Sequence, residues 1–176
     1  SNPNNPWVEI SQLTSSESLN YKCPKWVPNH PEKIFIGSQY WGKDAALYFS
    51  QDTGNTWARV DNFVFPNTTD TTIRCINVSI PTDTAVYAFV VKDAGHFSNG
   101  YTYIYRSRTD TIAWQFLGND TIGIQYAIGV INADFEVSKS VNPANGFPVM
   151  YLGLMHLLYS SDGGNTKKNA NASYSP

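Results

Sequence analysis

Apolar residues along this 176-residue chain occur in short runs separated by polar and turn-forming residues. The runs are rich in Val, Ile, Tyr, Phe and Trp and are bounded by Gly, Pro, Asn and Asp, which is the pattern of β-strands. Apolar spacing typical of an amphipathic helix is nearly absent. The pattern therefore predicts an all-β chain with strands over residues 33–37, 45–50, 56–60, 73–80, 85–92, 102–106, 113–117, 135–140, 148–152 and 156–160.

One segment recurs three times along the chain, each time after an aromatic strand. It reads Ser-Gln-Asp-Thr-Gly-Asn-Thr-Trp at 50–57, keeps only its serine and tryptophan at 107–114, and has lysine in place of tryptophan at 160–167. Because strands and a proline-bearing turn recur with it, the repeat predicts four-stranded units of about 55 residues. Within a single domain over 1–176, the units span 20–60, 73–117 and 135–167, the last without its fourth strand, after a lone strand at 7–10.

The repeated residues suit a tight connection between the third and fourth strands of a unit. An aspartate accepts hydrogen bonds from turn amides, glycine supplies a positive φ, and tryptophan covers the turn. A calcium loop is disfavoured because the glutamate that would complete it is missing, so no metal is expected. We expect structural roles for Ser50, Asp52, Gly54, Thr56, Trp57, Ser107, Trp114, Ser160, Asp162, Gly164 and Thr166.

The pattern Ser-x-Asp-x-Gly-x-Thr-Trp at 50–57 resembles the Asp-box, or bacterial neuraminidase repeat, of sialidases, sortilin-type receptors and xyloglucanase-type glycoside hydrolases. The resemblance covers nearly the whole chain. It implies a β-propeller, in which four-stranded antiparallel blades surround a channel. Three blades are fewer than the four to eight of a complete propeller, so it implies a section of a larger ring. Remaining blades or another chain are then needed to close that ring.

In such a propeller, the loops between second and third strands lie at the channel mouth, together with the connections between blades. The corresponding segments are 38–44 and 93–101. Aromatic groups beside amide, hydroxyl and carboxylate groups suit recognition of a glycan, a peptide or a partner protein. The alternative is that these aromatic residues only cover the ends of the blades. The candidate binding residues are Tyr40, Trp41, His96, Phe97 and Tyr101.

Catalysis has weaker support in the sequence. Sialidases need an arginine cluster on the binding face, whereas Arg59, Arg106 and Arg108 lie beside the repeated turns. Asp44 and Asp93, in the loops of neighbouring units, are the only weak candidates for a glycosidase carboxylate pair. We therefore expect a non-catalytic module without cofactor, or a scaffold in an assembly. The alternative is a propeller glycoside hydrolase of sialidase or xyloglucanase type.

Composition limits the partners. Hydrophobic residues make up 41% of the chain, aromatic residues 14% and charged residues 15%, with net charge −2. So little charge disfavours both disorder and a basic nucleic-acid surface. No apolar run reaches the ~18 residues of a transmembrane helix, and the first residues do not resemble a signal peptide.

Cysteines and glycosylation sequons bear on the compartment. Cys23 and Cys75 have no metal-ligand spacing, and either two free thiols or one disulfide fits them. Four Asn-x-Ser/Thr sequons and a low lysine content favour an extracellular or cell-surface protein. The sequons begin at Asn67, Asn77, Asn119 and Asn171.

Overall fold

The computed structural model describes residues 20–39, 44–66, 72–93, 100–122, 134–153, 157–166 and 168–170. Regular structure in these ranges is entirely β-strand, which confirms the all-β prediction. No helix in the described ranges is long and apolar enough to cross a membrane. The strand predicted at 7–10 lies outside the described residues.

The strands are β1 Asn20–Tyr21, β2 Lys25–Val27, β3 His30–Gln39, β4 Leu47–Ser50, β5 Ala58–Arg59, β6 Thr72–Thr82, β7 Ala85–Asp93, β8 Gly100–Arg108, β9 Gln115–Ile122, β10 Asp134–Val141, β11 Pro148–Gly153, β12 Leu157–Ser160 and β13 Lys168–Asn169.

Consecutive strands pair antiparallel in three groups of four. Unit 1 contains β2–β5, unit 2 contains β6–β9, and unit 3 contains β10–β13. Strand β1 pairs with the end of β3, and a bridge between Gln39 and Cys75 joins unit 1 to unit 2. We call the end with the β4–β5, β8–β9 and β12–β13 connections the turn end, and the opposite end the loop end.

Unit 3 corrects one prediction. The sequence predicts that this unit ends at residue 167 without a fourth strand, but Lys168 pairs with Tyr159 and Asn169 pairs with Leu158. The prediction was wrong because these two polar residues carry no apolar alternation. The preceding turn returns the chain to β12 and thereby supplies the pairing.

Large apolar side chains fill the spaces between units. Between units 1 and 2, Phe35 and Phe49 stack with ring centroids 4.3 Å apart, in a cluster that includes Tyr105. Between units 2 and 3, Phe89 stacks on Phe135 at 5.6 Å. Since strand β7 sends side chains to both clusters, its apolar run is continuous rather than alternating. Each buried large side chain contributes about 1.5–3 kcal/mol.

Glycine permits the closest approach between units. A Cβ atom at Gly37 of β3 would lie 2.0 Å from the carbonyl oxygen of Ile76 in β6. A side chain at this position is therefore incompatible with the packing of unit 1 on unit 2. At the turn end, a Cβ atom at Gly118 of β9 would lie 2.8 Å from the carbonyl oxygen of Gly164, so unit 3 also approaches unit 2 closely at a glycine.

The first strands of the three units meet at one carboxylate. The Ser79 hydroxyl of β6 donates to Glu136 Oε2 of β10 at 2.9 Å and accepts the Val137 N–H at 2.9 Å. The Lys25 ammonium of β2 forms an ion pair with the other oxygen of Glu136. We call Lys25, Ser79 and Glu136 the Glu136 junction, because they link β2, β6 and β10.

Candidate functional site

The turn between β4 and β5 is held by side-chain hydrogen bonds. Ser50 Oγ accepts the Gly54 N–H at 2.9 Å and donates to Asp52 Oδ1 at 2.9 Å. The Asp52 carboxylate accepts the Thr56 N–H at 2.8 Å and the Thr56 hydroxyl at 2.6 Å. Trp57 Nε1 donates to the Gly54 carbonyl at 2.9 Å, and Gly54 has φ +88°. These residues therefore fix the connection to β5.

The turn between β12 and β13 repeats this network. Ser160 Oγ accepts the Gly164 N–H at 2.8 Å, and Asp162 accepts the Thr166 N–H at 2.9 Å and its hydroxyl at 2.6 Å. Gly163 and Gly164 both have positive φ and are buried. The network closes within residues 160–166, so lysine in place of tryptophan at 167 leaves it intact.

The middle turn, between β8 and β9, is built differently. Ser107 Oγ accepts the Ala113 N–H at 2.8 Å and donates to the Ala113 carbonyl at 3.1 Å. Trp114 Nε1 donates to the carbonyl of Val60 at 2.6 Å, so this tryptophan ties unit 2 to unit 1. The middle turn therefore keeps the serine and the tryptophan of the repeat, but both form hydrogen bonds different from those in the first turn.

Hydrogen bonds at the turn end stabilise the ionised carboxylates. The side-chain and backbone donors of Thr56 lower the pKa of Asp52. Desolvation acts to raise the pKa of Asp162, yet the hydroxyl and N–H of Thr166 outweigh it and hold this pKa at about 2. A carboxylate held ionised by turn donors is unsuited to act as a general acid near neutral pH.

The arginines at the turn end do not converge on one site. Arg59 pairs with Asp61 at 2.7 Å, and Arg106 lies over the Tyr87 ring with 5.8 Å to its centroid. Arg108 pairs with Asp110 at 2.6 Å, and this hydrogen bond lowers the pKa of Asp110 to about 2. These described arginines therefore form no shared clamp for a substrate carboxylate.

The candidate binding residues are predicted to lie at the loop end. Tyr40, Trp41, His96 and Phe97 lie outside the described residues. Tyr101, the second residue of β8, is half-buried and packs against the cluster between units 1 and 2. The predicted gathering of these five residues therefore stays a prediction.

The two candidate catalytic carboxylates, Asp44 and Asp93, belong to neighbouring units. Asp44 Oδ1 accepts the Ile73 N–H at 2.7 Å, and the adjacent Ala45 N–H donates to the Ile73 carbonyl at 2.8 Å. Asp44 thereby anchors the start of β6 to unit 1. The backbone of Asp93 pairs with Gly100 at the end of β7.

Sequence reasoning missed a polar and aromatic group at the loop end. The ammonium of Lys92, a buried residue of β7, lies 3.9 Å from the Phe65 ring centroid, and Phe65 meets Tyr103 edge-on at 4.9 Å. Gln39 Oε1 is buried and has no hydrogen-bond partner in the described part of the chain. The sequence signal that could have revealed this group is Lys92, a lysine near the end of the apolar strand β7.

The cysteines are not joined in this structure. Cys23 is exposed and Cys75 is buried, and both are free, so the disulfide alternative is wrong. Burial raises the pKa of the Cys75 thiol to about 11, which disfavours a nucleophilic role. Of the sequon residues, Asn77 is buried and donates to Cys75 Sγ at 3.3 Å, whereas Asn119 is exposed. Asn67 and Asn171 lie outside the described residues.

The described residues contain no group of three or more His, Cys, Asp or Glu side chains placed to hold a metal ion. Comparison with known proteins adds no relative: no family model, no curated protein and no solved structure matches this chain.

Proposed function

We propose that the chain is a three-blade section of an Asp-box β-propeller. In this proposal it is a non-catalytic extracellular module that binds a glycan, a peptide or a partner protein at its loop end. The stacking of three four-stranded antiparallel units supports the architecture. The Glu136 junction supports it further, because innermost strands of neighbouring blades lie side by side around a common axis.

One observation carries the binding part of the proposal, namely the chemistry of the loop end. Lys92 packs over the Phe65 ring there, Phe65 meets Tyr103 edge-on, and Gln39 at the end of β3 has a buried amide oxygen without a partner among the described residues. Binding sites for sugars and peptides combine aromatic surface with a few oriented polar groups. The sequence predicts further binding residues for this end at Tyr40, Trp41, His96 and Phe97.

The bonding of the carboxylates supports a non-catalytic role. Asp44 is occupied by a backbone N–H of β6, and Asp52 and Asp162 by their own turns. Two of these three carboxylates are at the end opposite the loops. A glycosidase requires two carboxyl groups facing each other across one bond of the substrate.

Binding and hydrolysis assays on the full chain test this proposal. We expect the chain to bind a subset of immobilised oligosaccharides or peptides, measured by biolayer interferometry. We expect no product from a fluorogenic sialoside or from xyloglucan oligosaccharides. Trp41→Ala removes an aromatic contact of the predicted site, and we expect affinity to fall by about tenfold or more.

Phe147→Ala is the matched control, since Phe147 is an exposed aromatic residue in the β10–β11 connection at the turn end. The affinity of the Phe147→Ala variant for the oligosaccharide or peptide should equal that of the unmodified chain. Retained binding in both Trp41→Ala and Phe97→Ala would contradict the site, and steady release of sugar would favour the glycoside hydrolase.

A further inference from the structure

The three units have the same strand register, which allows equivalent positions to be compared. The serine that opens each turn pairs with Ile34 in unit 1, with Val86 in unit 2 and with Met150 in unit 3. Positions counted from these three residues are therefore structurally equivalent.

The next residue along each second strand faces forward, toward the following unit. Phe35 is buried against unit 2, and Tyr87 is buried against unit 3. The equivalent residue of unit 3 is Tyr151, which is 44% exposed. A side chain that is covered in units 1 and 2 is thus uncovered in unit 3.

A second set of equivalent positions gives the same result. The third residue after Ile34, Val86 and Met150 pairs with Leu47 in unit 1, with Ile104 in unit 2 and with Leu157 in unit 3. Leu47 and Ile104 are buried in the clusters between units, but Leu157 is 41% exposed. Unit 3 therefore presents the surface that receives a following unit, with no unit on it among the described residues.

Units 1 and 3 both have glycine at the third residue after Ile34 and Met150, whereas unit 2 has Phe89 there. Gly37 of unit 1 admits the backbone of Ile76, and its equivalent in unit 3 is Gly153. Among the described residues, a Cβ atom built at Gly153 meets only Asp134, at 3.9 Å, which is ordinary contact. At Gly37 the first strand of unit 2 fills the space beside the glycine. Beside Gly153 no strand in the described part of the chain fills the equivalent space.

Unit 1 presents the matching surface on its other side. Units 2 and 3 offer aliphatic residues to the preceding unit, for example Val86 and Met150. The equivalent residue in unit 1 is Ile34, which is buried within the chain, while its pairing partner in β2, Trp26, is 53% exposed. The outer side of unit 1 thus has the same apolar character as the sides of units 2 and 3 that face backward.

We propose that two copies of the chain pack together. The outer face of unit 3, which includes Tyr151 and Leu157, packs on the outer face of unit 1, which includes Ile34 and Trp26, in the second copy. Two such contacts close a ring of six units. This inference rests on the propeller architecture of the proposed function. Six units fall within the four to eight of closed propellers, whereas three copies would give nine. The contact continues the interface already formed between units 1 and 2 and between units 2 and 3, and head-to-tail contacts close into a ring when the rotation between copies completes a full turn.

Mass measurement of the intact chain over about 1–100 µM tests the pairing, a range that covers micromolar dissociation constants. We expect native mass spectrometry and light scattering to give twice the chain mass of 19.6 kDa. Leu157→Glu and Trp26→Glu each place a charge in the contact, and we expect each to weaken pairing by about 100-fold or more. Val64→Glu adds the same charge at an exposed residue outside both faces and should leave the pair intact.

Gly153→Ala gives the sharper test, because its Cβ atom fits the single chain and blocks only an approaching strand. We expect an unchanged circular dichroism spectrum and weakened pairing. A mass of 19.6 kDa at every concentration would overturn the proposal and leave the face to another partner. Pairing that is lost in Leu157→Glu but kept in Trp26→Glu would also overturn it. Oligosaccharide binding is read separately, so its failure is distinguishable from failure of the pairing.

Discussion

At the scale of single residues, the two complete turns show which atoms the repeat requires. In both turns a serine hydroxyl accepts a glycine N–H and an aspartate accepts two donors from a threonine. Trp57 adds a bond in the first turn, whereas the third turn closes without a tryptophan. The repeated polar residues therefore determine the turn, and the tryptophan is an addition to it.

Ionisation of Asp162 should make the stability of the fold depend on pH. Its pKa in the folded chain is about 2, below the ordinary value near 3.9, so ionisation of Asp162 stabilises the fold above about pH 4. This contribution is lost as pH falls through about 2. We expect Asp162→Asn to be less stable than the unmodified chain at pH 6 and to lose less stability on acidification. Urea unfolding between pH 6 and pH 1.5 measures both curves, and parallel curves would contradict the role of Asp162.

Sequence reasoning could assign the turn residues because each bonds within its own short segment. The bond from Trp114 to the Val60 carbonyl could not be assigned, since it joins two units. The role of Asp44 was hidden for the same reason, because its partner is the N–H of Ile73 in the next unit. Local pattern thus predicts local bonds and leaves bonds between units undetermined.

At the scale of strands, the length of the apolar run decides what the sequence predicts. Strands β6, β7 and β8 were predicted within a few residues, because they are buried on both faces. Strands β5 and β13 hold two residues each, and their position depends on the turn before them. Short outer strands of this kind carry little hydrophobic signal of their own.

Gly37 is the position where β3 should be most sensitive to substitution. In Gly37→Ala the new Cβ atom meets the Ile76 carbonyl, so the two strands must separate. We expect the free energy of unfolding to fall by about 1–3 kcal/mol, the usual cost of overpacking. Urea denaturation followed by tryptophan fluorescence measures it.

Gly153→Ala is the control for this change, because it adds the same methyl group at the equivalent position of unit 3. In dilute solution, where the chain is a single copy, its stability should stay within about 0.5 kcal/mol of the unmodified chain. An equal loss in both variants would show that glycine acts through backbone freedom rather than through close approach.

At the scale of the whole molecule, the repeat predicted three successive units, and the described residues form three. Their mutual contacts were not predictable. Lys25 and Glu136 are 111 residues apart, and neither lies in a repeated motif. Such contacts depend on how the sheets stack, which the alternation of apolar residues within one strand does not encode.

Ser79→Ala should loosen the packing of unit 3 on unit 2. The substitution removes the acceptor of the buried Val137 N–H and the donor to Glu136. An unsatisfied buried N–H costs about 1–3 kcal/mol, and we expect the melting temperature to fall by roughly 2–4 °C for each kcal/mol. Calorimetry measures it, with Ser138→Ala, whose hydroxyl bonds only at the exposed surface, as the control. Equal melting temperatures would argue against the role of Ser79.

The Glu136 junction also bears on the order in which the chain folds. Pairing within each unit joins neighbouring strands and closes short loops, whereas the bond from Lys25 to Glu136 closes a loop of 111 residues. The entropy lost on closing a loop grows with its length, and contacts between distant residues form slowly. We therefore expect the hairpins within each unit to form before the Glu136 junction, which pulse-labelling hydrogen exchange during refolding would measure.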